Sequence, residues 1–236
     1  GYYTLWMDKS VVRSSSMANG DYARVNLSGV DARHMGLELD FVLRPNRWLD
    51  VTGMLSLGDW QWDSDSKGYI YDTQGQPLTK ALDGTVASGI MAEDHAWLNL
   101  KQKGIKVGGS AQTTGALGVT VRPMKGLRVS ADWNAYGNNY ADFYIGSQTS
   151  LSGNSTVDVK DPWKIPWGHQ LDLSASYAFK IGNVRATIYG NVNNVYDYNY
   201  IMDAQCAAAD EGIWQNVYAV MYSFGRTYTV RLKINF

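Results

Sequence analysis

Residues 217–236 read VYAVMYSFGRTYTVRLKINF. From Tyr218 the even positions are Tyr218, Val220, Tyr222, Phe224, Arg226, Tyr228, Val230, Leu232, Ile234 and Phe236, and only Arg226 breaks the apolar set. The odd positions are small or polar apart from Met221. A period of two places each set on its own face of a strand, whereas a helix would spread both around its circumference. Strands usually run about five or six residues, and this alternation predicts one continuous strand from Tyr218 to Phe236. A tilted strand that crosses a bilayer needs about 9–11 residues, and more where it projects beyond the membrane.

The same alternation recurs upstream. Met35, Leu37, Leu39, Phe41 and Leu43 alternate with Gly36, Glu38 and Asp40. Leu49, Val51, Leu55 and Leu57 alternate with Asp50, Thr52 and Ser56. Leu127, Val129, Ala131, Trp133 and Ala135 oppose Arg128, Ser130, Asp132 and Asn134. Leu171, Leu173, Ala175, Tyr177 and Phe179 oppose Gln170, Asp172, Ser174 and Ser176. Val184, Ala186, Ile188 and Val192 oppose Arg185, Thr187 and Asn191. A weaker pattern runs from Lys106 to Arg122, and Tyr2 to about Arg13 forms a further strand. The pattern predicts an all-β chain of about eight antiparallel strands.

The connections sort into two kinds. RPNRW (44–48), RPMKG (122–126) and KIGN (180–183) are short and carry Pro or Gly with a cation, as hairpin turns do. The stretches at roughly 14–28, 63–104, 143–167 and 201–213 are long and polar. Short and long connections alternate strictly, the arrangement of an outer-membrane β-barrel with periplasmic turns and extracellular loops. Glu38, Asp40, Asp50, Asp132, Asp172, Arg128, Arg185 and Arg231 fall on the polar faces. A dry core would charge several kcal/mol for each unpaired ion, so a wet lumen or polar plug is expected behind them.

Composition agrees. The chain has 236 residues and a formal net charge of −1, with no basic signature for nucleic acid. Its 16 Tyr and 9 Trp against 5 Phe favour amphipathic rings, which suit membrane interfaces. A single cysteine, Cys206, permits no internal disulfide. No apolar run approaches the length of a transmembrane helix. The opening GYYTLWMD is already strand-like and shows no signal peptide, which leads to the expectation of a mature or truncated product.

GNVNNVYDYNYI (190–201) resembles the penultimate-strand pattern of TonB-dependent outer-membrane receptors, in which asparagines precede an aromatic and a Tyr. FGRTYTVRLKINF (224–236) resembles that family's terminal strand with its final aromatic. SGVDARHMGLELDF (28–41) followed by LDVTGMLSLGDWQWD (49–63) resembles its paired strands near a periplasmic turn, and the wording is closest to Bacteroides-group receptors. The resemblance covers essentially the whole of residues 1–236. It implies the C-terminal portion of a transmembrane β-barrel domain, the last eight of 22 strands, with the plug domain absent from this chain. It implies an outer-membrane location in a Gram-negative bacterium with the long loops extracellular. The implied role is active import of a scarce nutrient (siderophore, vitamin, haem, glycan or peptide). The implied partners are the remaining N-terminal barrel strands and plug, a TonB-type energy-coupling complex acting through the plug, the lipid bilayer, and a surface lipoprotein. Phe236 would be the terminal aromatic read by assembly machinery. Two other readings stand beside this one: a self-contained eight-stranded anchor or adhesion barrel without transport, and a soluble β-barrel binder.

Among candidate site residues, Trp60, Trp62, Trp97, Tyr140, Tyr144, Trp163 and Trp167 lie near the outer rim or in loops. Their flat faces suit sugar rings or a macrocycle, and interface anchoring or loop packing would use them equally well. His34, His95 and His169 are far apart and read as solvated loop or rim residues, with no metal assigned. DSDSKGYIYD (63–72) starts like a calcium loop, but Lys67 stands where a ligand is wanted and Gln74 where a Glu is wanted. Cys206 in MDAQCAAADEG reads as a loop thiol without activating neighbours. No catalytic arrangement stands out, so neither an enzyme nor a cofactor is expected.

Overall fold

A computed structural model describes residues 1–17, 21–82, 93–145 and 154–235. Sixteen strands form among them, where the alternation alone predicts about eight. In chain order they are β1 (Tyr2–Ser16), β2 (Tyr22–Asn46), β3 (Leu49–Trp62), β4 (Ser66–Tyr71), β5 (Trp97–Lys101), β6 (Thr113–Met124), β7 (Leu127–Gly137) and β8 (Asn139–Tyr140). There follow β9 (Asp142–Tyr144), β10 (Ser155–Asp158), β11 (Lys164–Ile165), β12 (Gly168–Ile181), β13 (Val184–Asn193), β14 (Ile201–Ala207), β15 (Val217–Tyr222) and β16 (Thr227–Asn235). The long strands lie side by side as β1-β2-β3-β6-β7-β12-β13-β16, each antiparallel to its neighbours. This wall does not close into a barrel: among the described residues no pairing joins β1 to β16.

The three short hairpins form where the turn residues place them, at Arg47–Trp48, Lys125–Gly126 and Gly182–Asn183. Gly126 (φ 87°) and Gly182 (φ 57°) adopt the left-handed backbone that favours glycine. Asn46 Oδ1 accepts the Trp48 N–H at 3.0 Å, so the side chain closes the first turn.

Register then decides which residues share a face. Leu37 opposes Leu57, Leu39 opposes Leu55, and Val51 opposes Val119. Leu117 opposes Trp133, Ala131 opposes Leu173, and Tyr177 opposes Ile188. Ile188 opposes Leu232, and Gly190 opposes Val230. Directly opposed residues point to the same side of a sheet, so the apolar sets join into one continuous band from β2 to β16. Its members are exposed: Leu37 at 65%, Leu39 at 64% and Val230 at 81%. Gly53 breaks the row without leaving a gap, because the Phe41 ring lies over it where a Cβ would stand. On β3 the band ends at Asp59, which Lys106 Nζ contacts at 2.6 Å, and next to it Arg33 donates to Gln61 at 3.1 Å.

The opposite face is polar, Val42 and Met54 apart, and laterally bonded. Arg122 reaches Asp50 at 2.6 Å, and Thr120 and Ser130 share a hydrogen bond of 2.9 Å. The Arg231 guanidinium lies 4.2 Å from the Tyr189 ring centroid. Asp132 stands opposite Asp172 in the β7–β12 ladder. Like charges so placed repel, and Asp172 is compensated by bonds from Gln170 Nε2 (2.7 Å) and the Asn194 N–H (2.8 Å).

The packed core sits at the other end from the hairpins. Most of the additional strands lie in the stretches read as polar loops. The upper half of β2 leaves β3 and pairs instead with β4, which continues through β5 to β10. A second sheet, β9-β14-β15, faces it. Between them lie Ala23, Val25, Leu27, Ile70, Leu98, Leu100, Phe143, Val157, Ala204 and Cys206, all buried in one cluster. Arg13 of β1 fastens the layers with a two-pronged contact to Asp142 of β9, at 2.8 and 3.2 Å. The connections thus form a folded cap. Cys206 belongs to its core rather than to a loop, and burial pushes the thiol's pKa up, away from a reactive thiolate. His95 is likewise buried rather than solvated, stacked on Tyr69 at 4.7 Å, edge-on to Tyr71 and bonded to the Ile70 carbonyl.

The terminal alternation does not make one strand. β15 belongs to the cap and pairs with β14, while β16 belongs to the wall and pairs with β13. Residues 223–226 are held out of both ladders by the β13–β14 connection. Asn194, 1% exposed, donates through Nδ2 to the Phe224 and Tyr198 carbonyls and accepts the Tyr198 N–H through Oδ1. Asp197 Oδ1 accepts the Arg226 N–H at 2.8 Å, and Tyr200 and Ser223 pair through backbone and hydroxyl. The asparagine-rich motif is therefore a clasp. Phe236 lies outside the described residues.

Asn194 has φ 52°, which glycine adopts without strain. Asn194→Gly therefore removes the side-chain bonds without straining the folded backbone, and together with the added freedom of the unfolded chain is expected to lower stability by about 1–3 kcal/mol. The midpoint of a denaturant titration measures it, and an unchanged midpoint would show that the clasp does not hold the break.

Candidate ligand-binding site

The structure disperses most of the predicted aromatic set. Trp62 is in the cap core. Trp97 faces Lys67 Nζ at 4.8 Å. Tyr140 pairs with Lys164 in the short β8–β11 ladder. Tyr144 and Tyr218 rings meet at 5.3 Å, as do Trp163 and Trp214. Trp167 lies against Gly137, where a Cβ would strike its ring. Each of these contacts packs the cap or joins it to the wall.

Trp60 differs. Pairing of β1, β2 and β3 sets Thr4 opposite His34 and His34 opposite Trp60 on the polar face. His34 is sandwiched between Trp6 (centroids 4.5 Å apart) and Trp60 (5.2 Å). Trp60 Nε1 donates to the Tyr2 hydroxyl at 2.8 Å. The Tyr2 ring can lie there because Gly36 and Gly58 face each other beneath it: a Cβ on Gly36 would stand 2.7 Å from the Tyr2 oxygen. These rings, with Thr4, Glu38, Val107 and Ser110, line a pocket of about 490 Å³. That is within the span of small-molecule sites, roughly 300–1,000 Å³.

Two local devices set the geometry. The β1–β2 register shifts between Trp6 and Lys9, where Asp8 takes φ 54° and its N–H bonds Asp31 at 2.9 Å. This bulge brings Lys9 Nζ to 3.7 Å above the Trp6 ring, a cation–π contact. At the other side, Gln112 stands in for a missing strand neighbour. Its Oε1 accepts the Trp60 N–H at 3.0 Å, and its Nε2 donates to the Trp60 and Val107 carbonyls at 3.1 and 3.0 Å. Trp60 is thus fixed through its backbone by a buried amide.

The pocket offers flat aromatic surface, one carboxylate at Glu38 and hydroxyls at its rim, a set suited to a ring-bearing solute with a few polar groups. The aromatic inventory singles out only Trp60 of these residues. Tyr2, Trp6 and His34 stand at alternating positions on a face otherwise charged or polar, which is the signal that marks them. Gln112 carries none, because its role depends on where β6 begins.

No family model and no curated protein matches the chain. Among solved structures it aligns with BauA, the ferric preacinetobactin receptor from Acinetobacter baumannii, with TM-score 0.38 and 14% identity, over 98% of this chain and 33% of that one. The chain thus spans about a third of that receptor's length.

Gln112→Leu leaves the Trp60 N–H and carbonyl without their side-chain partner and is expected to cost about 1–3 kcal/mol, against about 0.5–1.5 kcal/mol for Tyr2→Phe. Denaturant titration followed by tryptophan fluorescence compares them. Equal small losses would mean that Gln112 does not hold Trp60.

Proposed function

We propose that this chain is a section of the wall and extracellular cap of an outer-membrane β-barrel receptor that imports a scarce nutrient. The observation that carries the membrane part is the apolar band, exposed on one face of every wall strand from β2 to β16, while the other face is polar apart from Val42 and Met54. An apolar surface of that extent is an interaction surface, and hydrocarbon satisfies it without further structure. On β3 the apolar set from Leu49 to Leu57 matches the about 9–11 residues that a tilted strand needs to cross. The polar face then lines the lumen, and the hairpin end is periplasmic.

The finer reading draws on the sequence resemblance to TonB-dependent receptors of the Bacteroides type. In it, the free edges of β1 and β16 pair with further strands of a 22-stranded barrel, and a plug fills the lumen. A TonB-type complex supplies energy through that plug, and a surface lipoprotein is a further partner. The open wall favours this over a self-contained eight-stranded anchor, which needs β1 to pair with β16. The pocket of Tyr2, Trp6, His34 and Trp60 opens on the luminal face and is where the imported solute would touch this section. The chain itself carries no catalytic role in this reading.

A pair of substitutions one residue apart tests the faces. In the full assembly Val230→Arg places a charge in lipid and is expected to cost about 2–4 kcal/mol near the midplane, whereas Thr229→Arg points into the lumen and costs little. Stability in lipid vesicles, followed by urea unfolding, reads the difference. Equal effects would contradict the assignment.

A further inference from the structure

Charge on the polar face of the wall is sorted by height. Arg44, Arg122 and Arg128 stand in the rows nearest the hairpin turns, where Asp50 takes bonds from Arg122 at 2.6 Å and Arg44 at 3.9 Å. Closer to the cap, the charged residues of that face on β2 and β7 are the acids Asp40, Glu38 and Asp132. Among the described residues none of these three makes an ion pair. Two cavities follow one another here. The lower, of about 260 Å³, is lined by Asp40, Val42, Thr52, Met54, Gly118 and Asp132, among others. Gly118 lets the Asp132 carboxylate lie across β6, since a Cβ there would stand 2.8 Å from Asp132 Oδ1. The upper is the aromatic pocket of Tyr2, Trp6, His34 and Trp60, and among the described residues Glu38 is the one carboxylate or cationic side chain that lines it.

The upper pocket thus sets one unpaired carboxylate beside aromatic rings. Lys9 rests on Trp6 at 3.7 Å but does not line the pocket. Burial, with Lys9 beside it, lowers the His34 pKa from its ordinary value, so the imidazole between Trp6 and Trp60 is neutral at neutral pH and repels no cation. Aromatic faces attract cations, and a carboxylate forms its strongest hydrogen bonds with charged donors. An anion in the pocket would meet Glu38, with Asp40 next along the same face of β2. We propose that the aromatic pocket selects a planar-ring solute that carries a positive charge, its ring among Tyr2, Trp6 and Trp60 and its ammonium or other cationic group on Glu38. This selection rests on the reading of the pocket as the place where an imported solute touches the wall.

Isothermal titration calorimetry of the full assembly in non-ionic detergent tests it with three probes that share one ring: tryptamine (cationic), tryptophol (neutral) and indole-3-acetate (anionic). The expected order is tryptamine tightest, roughly tenfold over tryptophol, with indole-3-acetate weakest. Glu38 is exposed, so Glu38→Gln leaves the packing in place, and it is expected to bring tryptamine down to the affinity of tryptophol. Glu38→Asp is expected to keep the preference. Equal affinities for the three probes, a preference for indole-3-acetate, or an unchanged Glu38→Gln variant would overturn the selection. Trp60→Ala separates the two claims. Binding without charge preference that is lost in Trp60→Ala removes the selection and leaves the aromatic site. Binding that persists in Trp60→Ala, or no binding of any probe, removes both.

Discussion

Pairing register is the constraint on which the rest of the molecule depends. Side chains alternate across a strand, so a slip of one residue in any ladder would turn that strand's apolar set to the polar face. The ladders from β2 to β16 all hold the same phase: Leu39 with Leu55, Leu117 with Trp133, Tyr177 with Ile188, Gly190 with Val230. That agreement makes one apolar band and one polar face from strands that individually are only half apolar. It also sets Tyr2, Trp6, His34 and Trp60 on a common side and leaves the turn-end cations where the band stops. The aromatic pocket is a consequence of phase.

Stability is divided unevenly along the strands. The wall is a single sheet whose apolar face stays exposed among the described residues, and in the membrane reading hydrocarbon takes the place of a core. The cap has a conventional two-layer core, with Val25, Leu98, Ile70 and Phe143 interleaved and Arg13 clamped to Asp142. The long strand β2 joins the two regimes, its lower part pairing with β3 and its upper part with β4. A cap with its own core can hold Trp60 and its neighbours in fixed geometry on a wall that has no core behind it. This is the arrangement a binding site needs, since a positioned side chain depends on packed support.

The wall was legible because its signals are local. Alternation in residues 35–43, 49–57, 127–135 and 171–179 names the faces, and Pro, Gly and Asn name the turns. The cap was not, because its strands are short. Ala23, Val25 and Leu27 give only three apolar positions in a polar stretch, and Gly68 and Ile70 fewer still. The break at 223–226 leaves no mark in its own sequence, where Phe224 keeps the phase. It is imposed by Asn194 and Asp197, about thirty residues away in the chain. Burial of His95 likewise depends on Tyr69 and Tyr71 being brought alongside. Of the site, Trp60 could be read as an aromatic, but its grouping with Tyr2, Trp6 and His34 required the pairing of three strands.

The most direct test of the central claim is a spin-label scan along β3 from Leu49 to Gln61 in lipid vesicles, with Cys206 first replaced by alanine. Apolar oxygen and a water-soluble nickel chelate compete as relaxation agents. The expected result is a period of two, with labels at Val51, Leu55 and Leu57 favouring oxygen and those at Thr52 and Ser56 favouring nickel, the oxygen phase ending at Asp59. Uniform nickel access along the strand, or a reversed phase, would contradict a lipid-facing band.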